Sequence, residues 1–240
     1  MNTVFETHKG VYQFSGFGRN IVAAFSGRQY TAANRGEFLS ELGFHDETLI
    51  RLKQEHTDTV AILKGNHPGV VHEPADAALT DRRDMILSVL TADCIPVFLA
   101  AGEGVVGIIH AGWRGLKKGI VKKTVQTALE QWGVSVSEIK IAFGPAIRKC
   151  CYNVSEEFEG YFPGYYFSLS KDERAGDALA RGSLDLVGIA YSQLAAAGVA
   201  KAQVDDCGIC TSCSNDRFYS VRRENKTSER ILSVIALKRE

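Results

Sequence analysis

The stretch Asp84–Leu116, DMILSVLTADCIPVFLAAGEGVVGIIHAGWRGL, decides the fold. Its apolar, β-branched runs Ile86–Leu90, Val97–Leu99 and Val105–Ile109 read as buried strands. The apolar pattern stops at Cys94 and again at His110. Pro96 follows Cys94, and Gly112 and Gly115 follow His110. The backbone is therefore expected to turn away at both places and leave the two side chains at the mouth of a sheet. The turn Ala111–Gly115 then feeds an amphipathic helix predicted from Leu116 to about Gln131. Its free N–H groups, with the planar fork of Arg114, would make an anion pocket suited to phosphate.

Working outward, residues 11–29 read as a strand, a tight turn and a second strand Ile21–Phe25, with Arg28 at a strand end. Asn34 is the expected N-cap of a helix running to about Leu42, with Glu37 three residues on and Gly43 as the stop. A short helix is predicted from Asp46 to about Lys53, placing His56 just before a strand at Thr59–Leu63. Lys64–Pro74 is turn-rich and holds His67 and His72. Downstream, Ile139–Phe143 reads as a strand, Ser155–Glu159 as the start of a short helix and Leu184–Leu194 as an amphipathic helix closed by Gly198. Phe218–Val221 is strand-like, and Ile231–Leu237 is the last strand. Strands and helices alternate without a strict βαβ rhythm, which predicts an α/β (α+β) fold with mixed sheets. With no Pro/Ser-rich linker, charge block or composition shift, residues 1–240 read as one domain.

The 28 acidic and 28 basic residues balance, so nothing electrostatic favours nucleic acid or an anionic membrane. Arg217, Arg222, Arg223 and Lys226 read as a solvated charged face. No apolar run approaches a bilayer span, and the N-terminus lacks the basic-then-apolar layout of a signal peptide, so a cytoplasmic location is expected. In that setting the six cysteines are expected to be reduced thiols.

Three residues are the candidates for chemistry. His56, Cys94 and His110 offer imidazole and thiolate donors, and three protein ligands leaving one position open is the arrangement of catalytic zinc. The same set suits copper, although Met1 and Met85 are the only methionines available as an axial ligand. Cys94 and His110 would also serve as a nucleophile and its base, or as a core thiol beside satisfied histidines. Asp93 is a candidate orienting group or general acid, yet on a regular strand it would face away from Cys94, so a kink before Pro96 is required. Trp113 suits either stacking on a planar ligand or packing. His8 and His45 carry no signal. In the tail, Cys207, Cys210 and Cys213 are spaced like the start of an iron–sulfur motif. Cys150 or Cys151 would complete four thiolates around structural zinc or a cluster; the alternative is packed or surface thiols.

Taken together, TADCIPVF and HAGWRG, preceded by QEHTDTV and followed by GPAIRKCCYNV and RFYSVRR, resemble the laccase-domain family, also called multicopper polyphenol oxidoreductases and associated with purine nucleoside phosphorylase activity. The resemblance runs from about Ile21 to Leu237 and implies a layered sandwich of mixed sheets flanked by helices. It implies one zinc held by His56, Cys94 and His110. It also implies phosphorolysis of adenosine, inosine, guanosine and methylthioadenosine to base and ribose 1-phosphate, with deamination of adenosine. Arg114 and the N–H groups after it are then expected to hold phosphate, with Arg28, Arg35 and Arg230 as further anion contacts. Asp93 is expected to protonate the departing purine or orient the zinc water. The chain departs from the family pattern at Glu55, Thr57, Asn153 and Ser228-Glu229, positions that bear on the rim of the site more than on the metal. Rival readings are copper-dependent polyphenol oxidation, an amidohydrolase acting on a peptidoglycan precursor, and a non-catalytic zinc scaffold. A monomer or a homodimer is compatible with the sequence.

Overall fold

The computed structural model describes residues 4–8, 10–44, 49–65, 69–169 and 180–238. In chain order its strands begin with β1 (Val4–His8), β2 (Val11–Phe14), β3 (Ile21–Ser26), β4 (Leu49–Lys53), β5 (Val60–Ile62) and β6 (Val70–Pro74). They continue with β7 (Ala77–Thr80), β8 (Ile86–Thr91), β9 (Ile95–Ala101), β10 (Val105–Ala111) and β11 (Ile139–Phe143). The last are β12 (Asn153–Ser155), β13 (Phe167–Leu169), β14 (Ala180–Leu184), β15 (Val204–Asp206) and β16 (Ile231–Leu237). The helices are α1 (Arg35–Glu41), α2 (Trp113–Lys117), α3 (Ile120–Trp132), α4 (Leu186–Ala196) and the single turn α5 (Val221–Glu224).

One sheet has the order β1-β2-β3-β16-β8-β4-β6 and a second the order β15-β11-β9-β10-β7-β5, with β12-β14-β13 forming a small third. Both large sheets are mixed. In the first, β4 runs parallel to β8 and to β6 while β16 is antiparallel to β3 and β8. In the second, β10 is antiparallel to β9 and β7, whereas β5 is parallel to β7 and β15 to β11.

The period-2 alternation of side chains explains why the central runs are apolar at nearly every position. Along β9, Phe98 and Ala100 face the first sheet, where they meet Phe14, Phe25 and Leu87. Val97, Leu99 and Ala101 face the opposite way, onto Ile120 and Val125 of α3 and Ile189 of α4. On the far side of the first sheet, Ile86 and Val234 pack with Phe38 and Leu39 of α1. The layers are therefore helix, sheet, sheet, helix, the sandwich that the sequence led us to expect. Phe98 and Phe14 meet across the two sheets with ring centres 5.2 Å apart.

Several local expectations fail for physical reasons. Residues 49–53 form a strand, because Leu49 and Ile50 are buried on opposite faces, one toward α1 and one between the sheets. Asp46 lies outside the described residues, as do His45 and His67. Val70–Pro74, expected as turn, pairs parallel with β4. Asn34 precedes α1 but does not cap it with its side chain; Asn34 Oδ1 accepts from the Thr31 N–H and hydroxyl instead. The helix expected over Leu116–Gln131 is two helices, broken at Gly119, whose φ of +83° suits glycine. Among the described residues Phe218–Val221 pairs with no strand: Phe218 is a core residue against Tyr12 and Phe25, and the chain then turns into α5. Pro96 does not turn the chain. It lies within β9 opposite His110, and the bend falls earlier, at Asp93, whose φ is +96°. Among the described residues no helix is long and apolar enough to cross a membrane.

Candidate active site

His56 stands in the loop between β4 and β5, where its φ of +57° curls the backbone so that consecutive N–H groups point inward. They converge on Asp76, just before β7. Its carboxylate accepts from the N–H groups of Glu55 (3.2 Å), His56 (3.1 Å) and Thr57 (2.6 Å), and from the Thr57 hydroxyl (2.9 Å). Asp76 is fully buried, and its Oδ1 also bonds His110 Nδ1 at 2.7 Å. One carboxylate thus fixes both the loop that carries His56 and the ring of His110.

Cys94 enters from the bend between β8 and β9, with its Sγ 3.9 Å from His56 Nε2. The rings of His56 and His110 lie 4.8 Å apart at a steep angle. One donor atom from each of His56, Cys94 and His110 falls within 4.8 Å of the other two. Gly112 closes the cradle: a Cβ there would lie 2.8 Å from His56 Cδ2 and 2.9 Å from Cys94 Sγ. With Nδ1 of His110 engaged by Asp76, Nε2 is its remaining donor atom, as is usual for a metal-binding histidine backed by a carboxylate. The donor chemistry and the space therefore fit a divalent ion such as zinc.

The electrostatics agree. Burial pushes the Cys94 thiol up, but the adjacent His110 and His56 overcome it and bring it down to about 6. Burial lowers His110, and Cys94 and Asp76 together raise it to about 9. Burial likewise raises Asp76, yet the His110 and Thr57 donors hold it at about 2. Without a metal the thiolate and the carboxylate hold a proton on His110, and a divalent ion would take the place of that proton at Nε2.

The cluster opens into a cavity of about 700 Å³ that Asp93, Tyr152, Arg222 and Arg230 also line; small-molecule sites fall in this size range. Burial pushes the Tyr152 phenol up to about 12, so its hydroxyl keeps its proton at neutral pH. Arg222 packs 5.0 Å from the Tyr152 ring centre and donates to the Asn153 carbonyl at 2.7 Å. Arg230 Nη1 donates to the Thr227 and Glu229 carbonyls at 2.7 and 2.8 Å. Among the described residues neither arginine is paired with a carboxylate, which leaves positive charge at the cavity wall.

The other expected residues are placed as follows. Because the bend is at Asp93 itself, Asp93 and Cys94 both line the cavity. The Asp93 carboxylate is engaged on both oxygens, by the Thr211 and Ser220 hydroxyls and the Arg222 N–H, each at 2.7 Å. Arg114 is exposed and lies over the Trp113 ring, outside the cavity lining, though near enough for its charge to act on Tyr152. Trp113 itself packs on Phe158 and Tyr161. Arg28 is held by Glu224 through two 2.9 Å bonds, and neither it nor Arg35 lines the cavity. The sequence reading missed Asp76, Tyr152 and Arg222. Asp76 had a signal, a lone acid among alanines at the start of a buried strand; Tyr152 and Arg222 lay within the quoted CCYNV and RFYSVRR blocks.

Residues 9–238 match the family described as multi-copper polyphenol oxidoreductase laccase. The chain is 37% identical over 201 residues to the purine nucleoside phosphorylase ORF3 of Streptomyces griseus, covering 81% of this chain and 77% of that protein. It is 30% identical over 203 residues to the adenosine deaminase RL5 of an unknown prokaryotic organism, with the same coverage. The crystal structure of YlmD from Geobacillus stearothermophilus superposes with a TM-score of 0.85 at 26% identity, covering both chains completely. The chain therefore belongs to the multi-copper polyphenol oxidoreductase laccase family, whose characterised relatives here bear the names of nucleoside-processing enzymes.

Proposed function

We propose that the cavity is the active site of a zinc-dependent purine nucleoside phosphorylase that also deaminates adenosine. The observation that carries this reading is the convergence of His56, Cys94 and His110, backed by Asp76, beside two arginines that have no carboxylate partner among the described residues. His56, Cys94 and His110 would hold a zinc ion there, whose Lewis acidity would bring the ionisation of water to about pH 7 and suit hydrolytic attack at C6 of adenine. Arg222 and Arg230 hold phosphate for attack on the sugar, replacing Arg114 and the helix start in that role. Tyr152 Oη, protonated at neutral pH, donates to the departing purine. Asp93, with both oxygens engaged, holds the cavity wall and not the transferred proton.

The test is to incubate zinc-loaded protein with adenosine, inosine, guanosine and methylthioadenosine, with and without phosphate, and to identify products by mass. Base and ribose 1-phosphate are expected only with phosphate, and inosine from adenosine in its absence. No nucleoside consumed under either condition would overturn the reading. A second reading rests on the line Asp76, His110, Cys94, which has the order of a nucleophile with its base and orienting acid. It predicts chelator-resistant cleavage of an amide in a muramyl-serine nucleotide. For copper-based oxidation of polyphenols, the described residues lining the cavity include no methionine, and Met85 is buried beside Thr80.

A further inference from the structure

A second set of ligating atoms lies outside this cavity. The sulfurs of Cys150, Cys151, Cys210 and Cys213 all fall within 4.8 Å of one another. Cys213 Sγ is 3.6 Å from Cys150 Sγ and 3.4 Å from Cys151 Sγ. A zinc ion bound tetrahedrally by four thiolates at about 2.3 Å sets its sulfurs about 3.8 Å apart, close to these separations. An iron–sulfur cluster attaches its cysteines to different iron atoms and spreads them further. Cys207, which the spacing alone would have included, is buried in the core between the sheets, and the vicinal pair Cys150 and Cys151 takes its place.

Two further features point to a ligand. The backbone N–H groups of Cys213 and Arg148 are directed at the Cys210 sulfur. The two loops that carry the cysteines are already strapped together: Ala146 and Thr211 bond each other's neighbourhood through Ala146 N to Ile209 O (3.2 Å) and Thr211 N to Ala146 O (3.1 Å). Arg148 adds a bidentate pair to Asp206. Four sulfurs held so close gain little from one another without a cation.

We infer that Cys150, Cys151, Cys210 and Cys213 form a structural zinc site, separate from the His56–Cys94–His110 cluster. Four protein ligands leave no open position, so this ion would be structural and not catalytic. Its effect reaches the cavity through the chain. Tyr152 follows Cys151 directly, and Thr211, between Cys210 and Cys213, bonds Asp93 beside Cys94. The ion would thus lock the wall that carries Tyr152, whatever reaction the cavity performs.

The test uses the whole chain carrying Cys94→Ala, so that no sulfur remains in the other cluster, reduced and titrated with Co(II). One equivalent is expected to give the intense sulfur-to-metal charge-transfer bands of a tetrathiolate, displaced by zinc and lost on adding Cys213→Ser. Absent bands, or bands that survive Cys213→Ser, would overturn the inference. Because such variants are at risk of misfolding, the wild-type chain is also alkylated with and without zinc and mapped by mass. Zinc is expected to slow modification of Cys150, Cys151, Cys210 and Cys213 at least tenfold. Equal rates, or a disulfide joining Cys213 to Cys150 or Cys151 in the freshly isolated protein, would contradict it.

Discussion

Asp76 Oδ1 lies 2.7 Å from His110 Nδ1 and 3.1 Å from the His56 N–H, so one buried carboxylate sets the positions of two of the three proposed ligands. Carboxylates behind a ligating histidine typically contribute 10- to 100-fold to metal affinity. Asp76→Asn is therefore expected to weaken zinc binding by about that factor, measured by competition with a chromophoric chelator. Unchanged affinity in a variant with native circular dichroism would remove Asp76 from the account.

Gly112→Ala tests the cradle without touching a donor atom. The added Cβ would meet His56 Cδ2 at 2.8 Å and Cys94 Sγ at 2.9 Å, closer than non-bonded carbon and sulfur tolerate. The ring and the sulfur must separate, and zinc affinity is expected to fall about tenfold or more while the melting temperature changes little. A methyl group accepted with full metal binding would mean that the three donors do not share one ion.

Arg222 and Arg230 are assigned to phosphate. A hydrogen bond to a charged group contributes about 1.5–3 kcal/mol, so Arg222→Ala or Arg230→Ala is expected to raise the KM for phosphate about 10- to 100-fold. The KM for inosine should move far less, and Arg114→Ala should leave the phosphate KM nearly unchanged. The reverse ranking would return the anion site to Arg114.

Glu224 gives a pH dependence that is independent of the metal. The two hydrogen bonds from Arg28, assisted by the Ser220 N–H and Asn215, hold its carboxyl at about 2, below the ordinary 4.5. A depressed folded-state value contributes stability that is present above the unfolded value and is lost as pH falls through the folded one. Wild type is thus expected to exceed Glu224→Gln by about 1 kcal/mol or less at pH 7, because the pair is partly exposed. The difference should close as pH falls from 4.5 to 2. Chemical denaturation at several pH values reads it directly, and a pH-independent difference would show that the ion pair is not its source.

What could be seen in the sequence was whatever local pattern controls. Ile86–Leu90, Val105–Ile109 and Ile231–Leu237 were legible because strands covered on both faces read as nearly continuous apolar runs, interrupted here only by Ser88, Gly107 and Ser233. Leu49–Lys53 was not, since five residues cannot separate a short strand from a helix until β8 and β6 are seen on either side. The His56, Cys94 and His110 set was legible through the order of the quoted blocks, not through spacing. Asp76 was hidden because its function arises from four donors on a loop some twenty residues earlier, a relationship created only by the fold. The position of Arg114 was hidden for a similar reason: the turn that carries it is already helical at Trp113, and the side chain lies over the indole, outside the cavity lining.

The most direct test of the central claim is anomalous scattering at the zinc edge from crystals of the wild-type chain and of Cys94→Ala. A peak about 2.0–2.3 Å from His56 Nε2, Cys94 Sγ and His110 Nε2 is expected in the wild type, and no peak there in the variant. A wild-type map without that peak, or a peak that persists when the sulfur is removed, would contradict it.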